Sequence, residues 1–252
     1  MSAFHDVVAA ATQGPAAVQE WIETHRPDIT TALADAVYEE SSRVLRENRD
    51  LGGRASLSLA ASALYLTLGL EEKALQASFD HLQCVYLAAD TAKAYEYPFN
   101  GARKIAPRAR TKNLKELAFS LHVLAADCAY CIADLSNEAP DWLLRSLEDL
   151  HEAAHDAAVP IDPSRLALYV NVPPNLVGPC SRANWGGDAG AAQTLLISLA
   201  KEIERLVPVD YAFPNKPDMT AFIAERLAIL SDDYGNPHVA ARRRSFGARL
   251  QK

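Results

Sequence analysis

The chain has 252 residues, 49% hydrophobic and 23% charged, enough apolar material to bury a sizeable core and too much for a disordered chain. A net charge of −7 argues against general nucleic-acid binding, which calls for a basic surface. Four scattered cysteines (Cys84, Cys128, Cys131, Cys180) do not make a disulfide framework, so they read as reduced thiols of a cytoplasmic protein. The apolar stretches 55–70 and 117–135 carry Ser, Asp or His and are too short or too polar to span a bilayer. Asp6 stands where a secretory leader would be basic, so no leader is expected.

The punctuation is helical throughout. Ser2 caps a first predicted helix that stops near Gly14-Pro15, and a second runs from Pro15 to about His25. Pro27 opens a third, carried by Ile29, Leu33, Val37, Val44 and Leu45 and ended by Gly52-Gly53. A pair follows, residues 55–68 and 71–90, turned at Gly69. Residues 91–111 contain Pro98, Gly101 and Pro107 and read as a loop. Helices are expected at 114–135 and from Pro140 to Ala158. Residues 159–190 hold five prolines and four glycines and form a long irregular loop, with one strand-like run at 166–172 (LALYVNV). Asp188 then caps a helix over 189–206, and helices at 217–232 and 237–250 complete the chain.

One strand-like run cannot build a sheet, so helices must pack on helices. The expected fold is all-α: a single domain over residues 1–252, made of stacked antiparallel hairpins or an irregular multi-helix bundle. Residues 55–82 supply the clearest hairpin. Small Ser62 sits where the first helix approaches closely, Tyr65 follows, Gly69 turns, and Ala74 is the small residue of the second helix. This resembles a tetratricopeptide-type hairpin, with His81 where such repeats prefer a second small residue. A second copy can be argued near 118–150, with Pro140 and Trp142 fitting it poorly. The resemblance implies a binding scaffold.

Three constellations bear on chemistry. His151-Glu152-Ala153-Ala154-His155 is an HExxH pattern, which on a helix places two histidines on one face to hold zinc, with Glu152 as general base. It resembles the zincin peptidases, but Glu148, Asp149 and Asp156 flank it where those enzymes carry uncharged residues. The third ligand would be a distant acid such as Asp162. The competing reading is a solvated helix face, with Leu143, Leu147, Leu150 and Ala154 turned inward. Arg145 and His151 also stand as R-x5-H, resembling the motif of the helical HEPN ribonucleases. His81 with Cys84, and Cys128 with Cys131, are i, i+3 pairs that would suit tetrahedral zinc if their helices were neighbours; otherwise these thiols pack as small hydrophobes. The glycine-rich entry at 184–190 is neither a GxGxxG nor a P-loop pattern.

Charge is unevenly spread. Residues 100–115 hold six basic side chains, among them Arg103, Lys104 and Arg108, and no acid; residues 238–252 hold five, including Arg242, Arg243 and Arg244, and again no acid. The remaining fourteen basic residues face all 32 acids, a balance of −18. An acidic body suits a basic protein partner, as for an adaptor or an inhibitor-type binder, with the two basic segments as candidate partner-binding surfaces. The alternative is a zinc-dependent enzyme or zinc-binding helical protein built on the histidines and cysteines above.

Overall fold

The computed structural model describes residues 3–136, 139–157, 166, 167, 169, 170, 172, 176, 188–212 and 216–250. The chain is all-α, with no strand among the described residues. Its contacts divide it into two compact units, Met1–Leu117 and Ala118–Lys252.

The first unit contains α1 (Ala3–Gln13), α2 (Pro15–Thr24), a 3-10 turn (Arg26–Asp28), α3 (Thr31–Asn48), α4 (Leu51–Thr67), α5 (Glu71–Ala88) and α6 (Ala92–Thr111). Val7, Val18, Trp21, Ile22, Leu33, Val37, Leu57, Leu64 and Tyr65 share its core. Pro27 lies in the 3-10 turn, and Thr30 opens α3, its hydroxyl accepting Leu33 N–H at 3.2 Å. Gly52-Gly53 does not end α3. Arg49 does so in a left-handed conformation (φ 53°), and Asp50 caps α4 by accepting Gly53 N–H at 2.9 Å. The glycine lets that cap close, since a Cβ on Gly53 would lie 2.4 Å from Asp50 Oδ2.

The α4–α5 hairpin forms where expected, although α4 begins at Leu51 rather than at residue 55 and runs through Gly52-Gly53. Ser62 Oγ donates to Ala74 O at 3.0 Å and takes a bond from Ser78 at 2.8 Å, so the small residue does mark the close approach. At the turn, Leu70 N–H reaches Tyr65 O at 2.8 Å and Gly69 N–H reaches Leu66 O at 3.0 Å, a Schellman closure with Gly69 at φ +72°. Open space surrounds a Cβ added there, so any cost of a side chain comes from the backbone alone. Gly69→Val should lower stability by about 1–2 kcal/mol. An unchanged urea midpoint would refute this account of the turn.

Residues 91–111 are helix, not loop. Thr91 caps α6 through Ala94 N–H at 3.3 Å, and Pro98 and Pro107 both lie inside it. Each proline removes a helical hydrogen bond at a cost of about 3 kcal/mol; packing outweighs this. Pro98 itself, Phe99, Ala102, Ala106 and Ala109 form one buried stripe, and a Cβ on Gly101 would come within 2.6 Å of Leu82 Cδ2. The α5–α6 contact is therefore close because Gly101 is bare.

The second unit contains most of α7 (Lys115–Leu135), then α8 (Ala139–Asp156), α9 (Ala189–Leu206), α10 (Pro217–Tyr234) and α11 (Pro237–Leu250). Phe119, Leu121, Leu147, Leu150, Leu196, Leu199, Ile203, Leu227 and Leu230 are buried. Asp188 caps α9 as expected, accepting Ala191 N–H at 3.0 Å. Leu166, Ala167, Tyr169 and Val170 of the expected strand are helical instead; a lone strand has no neighbour to bond its backbone, whereas a helix bonds its own. Val172 and Leu176 of the expected 159–190 loop are buried, and residues 188–190 form the cap and start of α9; its remaining residues lie outside the described ones, as does Ser2. Among the described residues α7 alone has the length and apolarity of a membrane span, and 78% of its most apolar window is buried in the fold.

Candidate functional site

Two polar concavities mark the first unit. Asp35, Tyr38 and Glu39 of α3, Tyr65 of α4, and Lys73 and Gln76 of α5 line a pocket of about 320 Å³. Residues 35, 38 and 39 share a face one helical turn apart. Both tyrosines are pinned: Tyr65 Oη donates to Asp35 Oδ1 at 2.6 Å and Tyr38 Oη to Asp80 Oδ2 at 2.5 Å, with the rings edge-on, 6.3 Å apart. Burial, then the neighbouring carboxylate, pushes each phenol up, which keeps it a donor. Into this frame the chain inserts an ammonium of its own. Lys73 Nζ lies 2.7 Å from Asp35 Oδ1 and 5.4 Å from the Tyr65 ring centroid. Lys73 and Tyr65 together hold the Asp35 carboxyl below its usual range.

The second concavity, about 430 Å³, runs between α4, α5 and α6. His81 stands at its edge, with Nδ1 2.9 Å from Ala55 O and Nε2 3.0 Å from Tyr97 Oη. The carbonyl can only accept, so Nδ1 carries the proton and Tyr97 donates to Nε2. Burial lowers the imidazole's pKa, consistent with this neutral form. Lys104 and Arg108, two of the sequence-expected partner-binding residues, line the same groove. Arg103 lies over the Phe99 ring at 5.4 Å instead.

No family model, curated protein or solved structure matches the chain.

The zinc constellations do not assemble among the described residues, where no three His, Cys, Asp or Glu side chains are placed to hold a metal. His151 Nδ1 meets Ser198 Oγ at 3.0 Å, and His155 is exposed. Asp162 and Cys180 lie outside the described residues. Cys84 and Cys128 are buried in different units, and burial pushes both thiols up, away from the thiolate a metal needs. Both His81 nitrogens are already engaged. Arg145 of the R-x5-H spacing packs over Trp142 at 4.5 Å. His151→Ala and His155→Ala should each change stability by less than about 1 kcal/mol and leave partner binding intact. Loss of a stoichiometric zinc from both variants, seen by metal analysis, would reverse that expectation.

The face around HExxH is not solvated throughout. Asp149 is 1% exposed and Asp156 5%, turned inward beside His122 of α7, itself 6% exposed. His122 Nδ1 lies 3.2 Å from Asp149 Oδ1, and Nε2 lies 3.8 Å from Asp156 Oδ2. Nearby, Ser146 Oγ donates to Ala126 O at 2.7 Å. The sequence reading missed this buried triad. The signal was His122 inside an apolar run, which needs polar partners when buried.

The C-terminal basic cluster divides. Arg242 is exposed. Arg244 pairs with Glu225 at 3.2 Å and with Asp232, both holding it charged. Arg243, expected at a recognition surface, is 1% exposed. It donates to Val207 O at 2.8 Å and Pro208 O at 3.3 Å, capping the carbonyl end of α9, where a cation is favourable. Burial lowers its pKa to about 10.

Proposed function

We propose that the chain is a non-catalytic helical interaction module, cytoplasmic, that engages a basic protein partner. The observation that carries this reading is the pocket of Asp35, Tyr38, Glu39 and Tyr65, which already seats one ammonium, that of Lys73. A carboxylate beside an aromatic face favours a cation by charge and by the ring quadrupole. The balance of −18 outside the two basic segments adds a field that speeds the approach of a basic protein at low salt. The hairpin resemblance in residues 55–82 supports the same reading, since stacked hairpins present extended surfaces.

Lys73 is then an internal competitor that an incoming ammonium displaces. Co-purification from the native host at low and high salt tests this, followed by affinity measurements on the captured protein. Capture should favour basic proteins and weaken with salt. Asp35→Asn with Glu39→Gln should abolish it, and Lys73→Gln should tighten it severalfold. Binding indifferent to all three changes would refute the proposal.

A further inference from the structure

The groove between α4, α5 and α6 has the opposite chemistry. Tyr97, Asn100, Gly101, Lys104 and Arg108 recur at three- and four-residue steps, so they form one stripe along α6. Leu59 of α4, Leu82 of α5 and Ile105 of α6 supply apolar lining. Its lining includes two cations and no acid. Lys104 is exposed and has no acidic partner among the described residues. Arg108 is tethered by Glu71 at 3.0 Å, which fixes its guanidinium at the end of the stripe. Asn100 is exposed and its side chain makes no hydrogen bond among the described residues; that amide offers one acceptor and a pair of donors, the complement of a peptide unit. Tyr97 is 55% exposed and is held in place by its bond to His81.

We propose that this groove binds an extended acidic peptide segment of a partner protein. Asn100 bonds the segment's backbone, Lys104 and Arg108 receive its carboxylates, and an aliphatic side chain rests against Leu82 and Ile105. From Tyr97 to Arg108 the helix rises roughly 16 Å, the length of about five extended residues. Charge complementarity selects an acidic occupant. The aliphatic floor and the unbonded amide favour peptide over nucleic acid, whose recognition would call for a larger basic surface than this chain carries. This inference uses a different pocket from the basic-partner reading, and either can fail without the other.

The test is selection from a random peptide display library, panned on the full chain and on a Lys104→Glu/Arg108→Glu variant whose fold is checked by circular dichroism. Selected sequences should combine Asp or Glu with Leu, Ile or Val. A synthetic winner should bind the variant at least about tenfold more weakly, and Asn100→Ala should weaken it without changing the salt dependence. Asp35→Asn should leave it untouched. Enrichment of basic sequences, acidic sequences that bind the reversed variant equally, no enrichment, or displacement of the peptide by single-stranded DNA would each overturn the proposal. If the double reversal fails to fold, Lys104→Gln alone carries the same reading.

Discussion

Arg243→Ala should destabilise the second unit by about 3–5 kcal/mol, the range for emptying a large buried site. Arg243 is the largest fully buried side chain among the described residues. Its removal leaves a void and strips the carbonyls of Val207 and Pro208 of a charged donor, a bond worth about 1.5–3 kcal/mol. Arg243→Met keeps most of the stem and loses only the bonds, so it should recover part of the loss. Arg242→Gln, at an exposed position, should stay within about 0.5 kcal/mol of the parent. Urea unfolding of the three variants is the check. An Ala variant as stable as Arg242→Gln would mean that the guanidinium does not hold the end of α9.

Asp149→Ala should cost about 2–4 kcal/mol, because it leaves His122 buried without its nearest acceptor, and stripping one partner of a buried polar pair exacts its full desolvation penalty. Replacing both members with apolar residues, Asp149→Leu with His122→Leu, should cost less than the single change. That non-additivity identifies a pair rather than two independent sites. Equal or larger loss in the double variant would show that His122 and Asp149 do not act as an isolated pair.

Much of the fold was legible where local chemistry decides it. Gly69 and the Asp188 cap each act within a turn of their own position, and Ser62 acts across the short hairpin on Ala74 and Ser78; each behaves as its residue type dictates. The expectation failed where distant packing overrides a local signal. Pro98 and Pro107 locally oppose a helix, and only the Phe99–Ala109 stripe against α5 explains why α6 persists. The face of α8 was misjudged for a related reason. Carboxylates were assigned to solvent, yet Asp149 and Asp156 follow the phase of Ser146 and Ala153, and that phase points to His122. Arg243 was hidden in the same way, since a run of three arginines on a helix must point in three directions. Of the candidate binding residues, Lys104 and Arg108 were found by charge. The Asp35–Tyr65–Lys73 pocket was not, because its parts lie on three helices and no spacing in the chain connects them.

The two buried thiols turn the division of the chain into something measurable. Cys84 is enclosed in the first unit and Cys128 in the second, so a thiol reagent reaches either one only when its own surroundings open. In a background with Cys131→Ser and Cys180→Ser, the labelling rate at each remaining cysteine becomes a clock for one unit. A chain that opens as a single cooperative body would label both positions at the same rate under native conditions. Two rates, each responding to destabilising changes in its own half alone, would mark residues 1–117 and 118–252 as separate folding units.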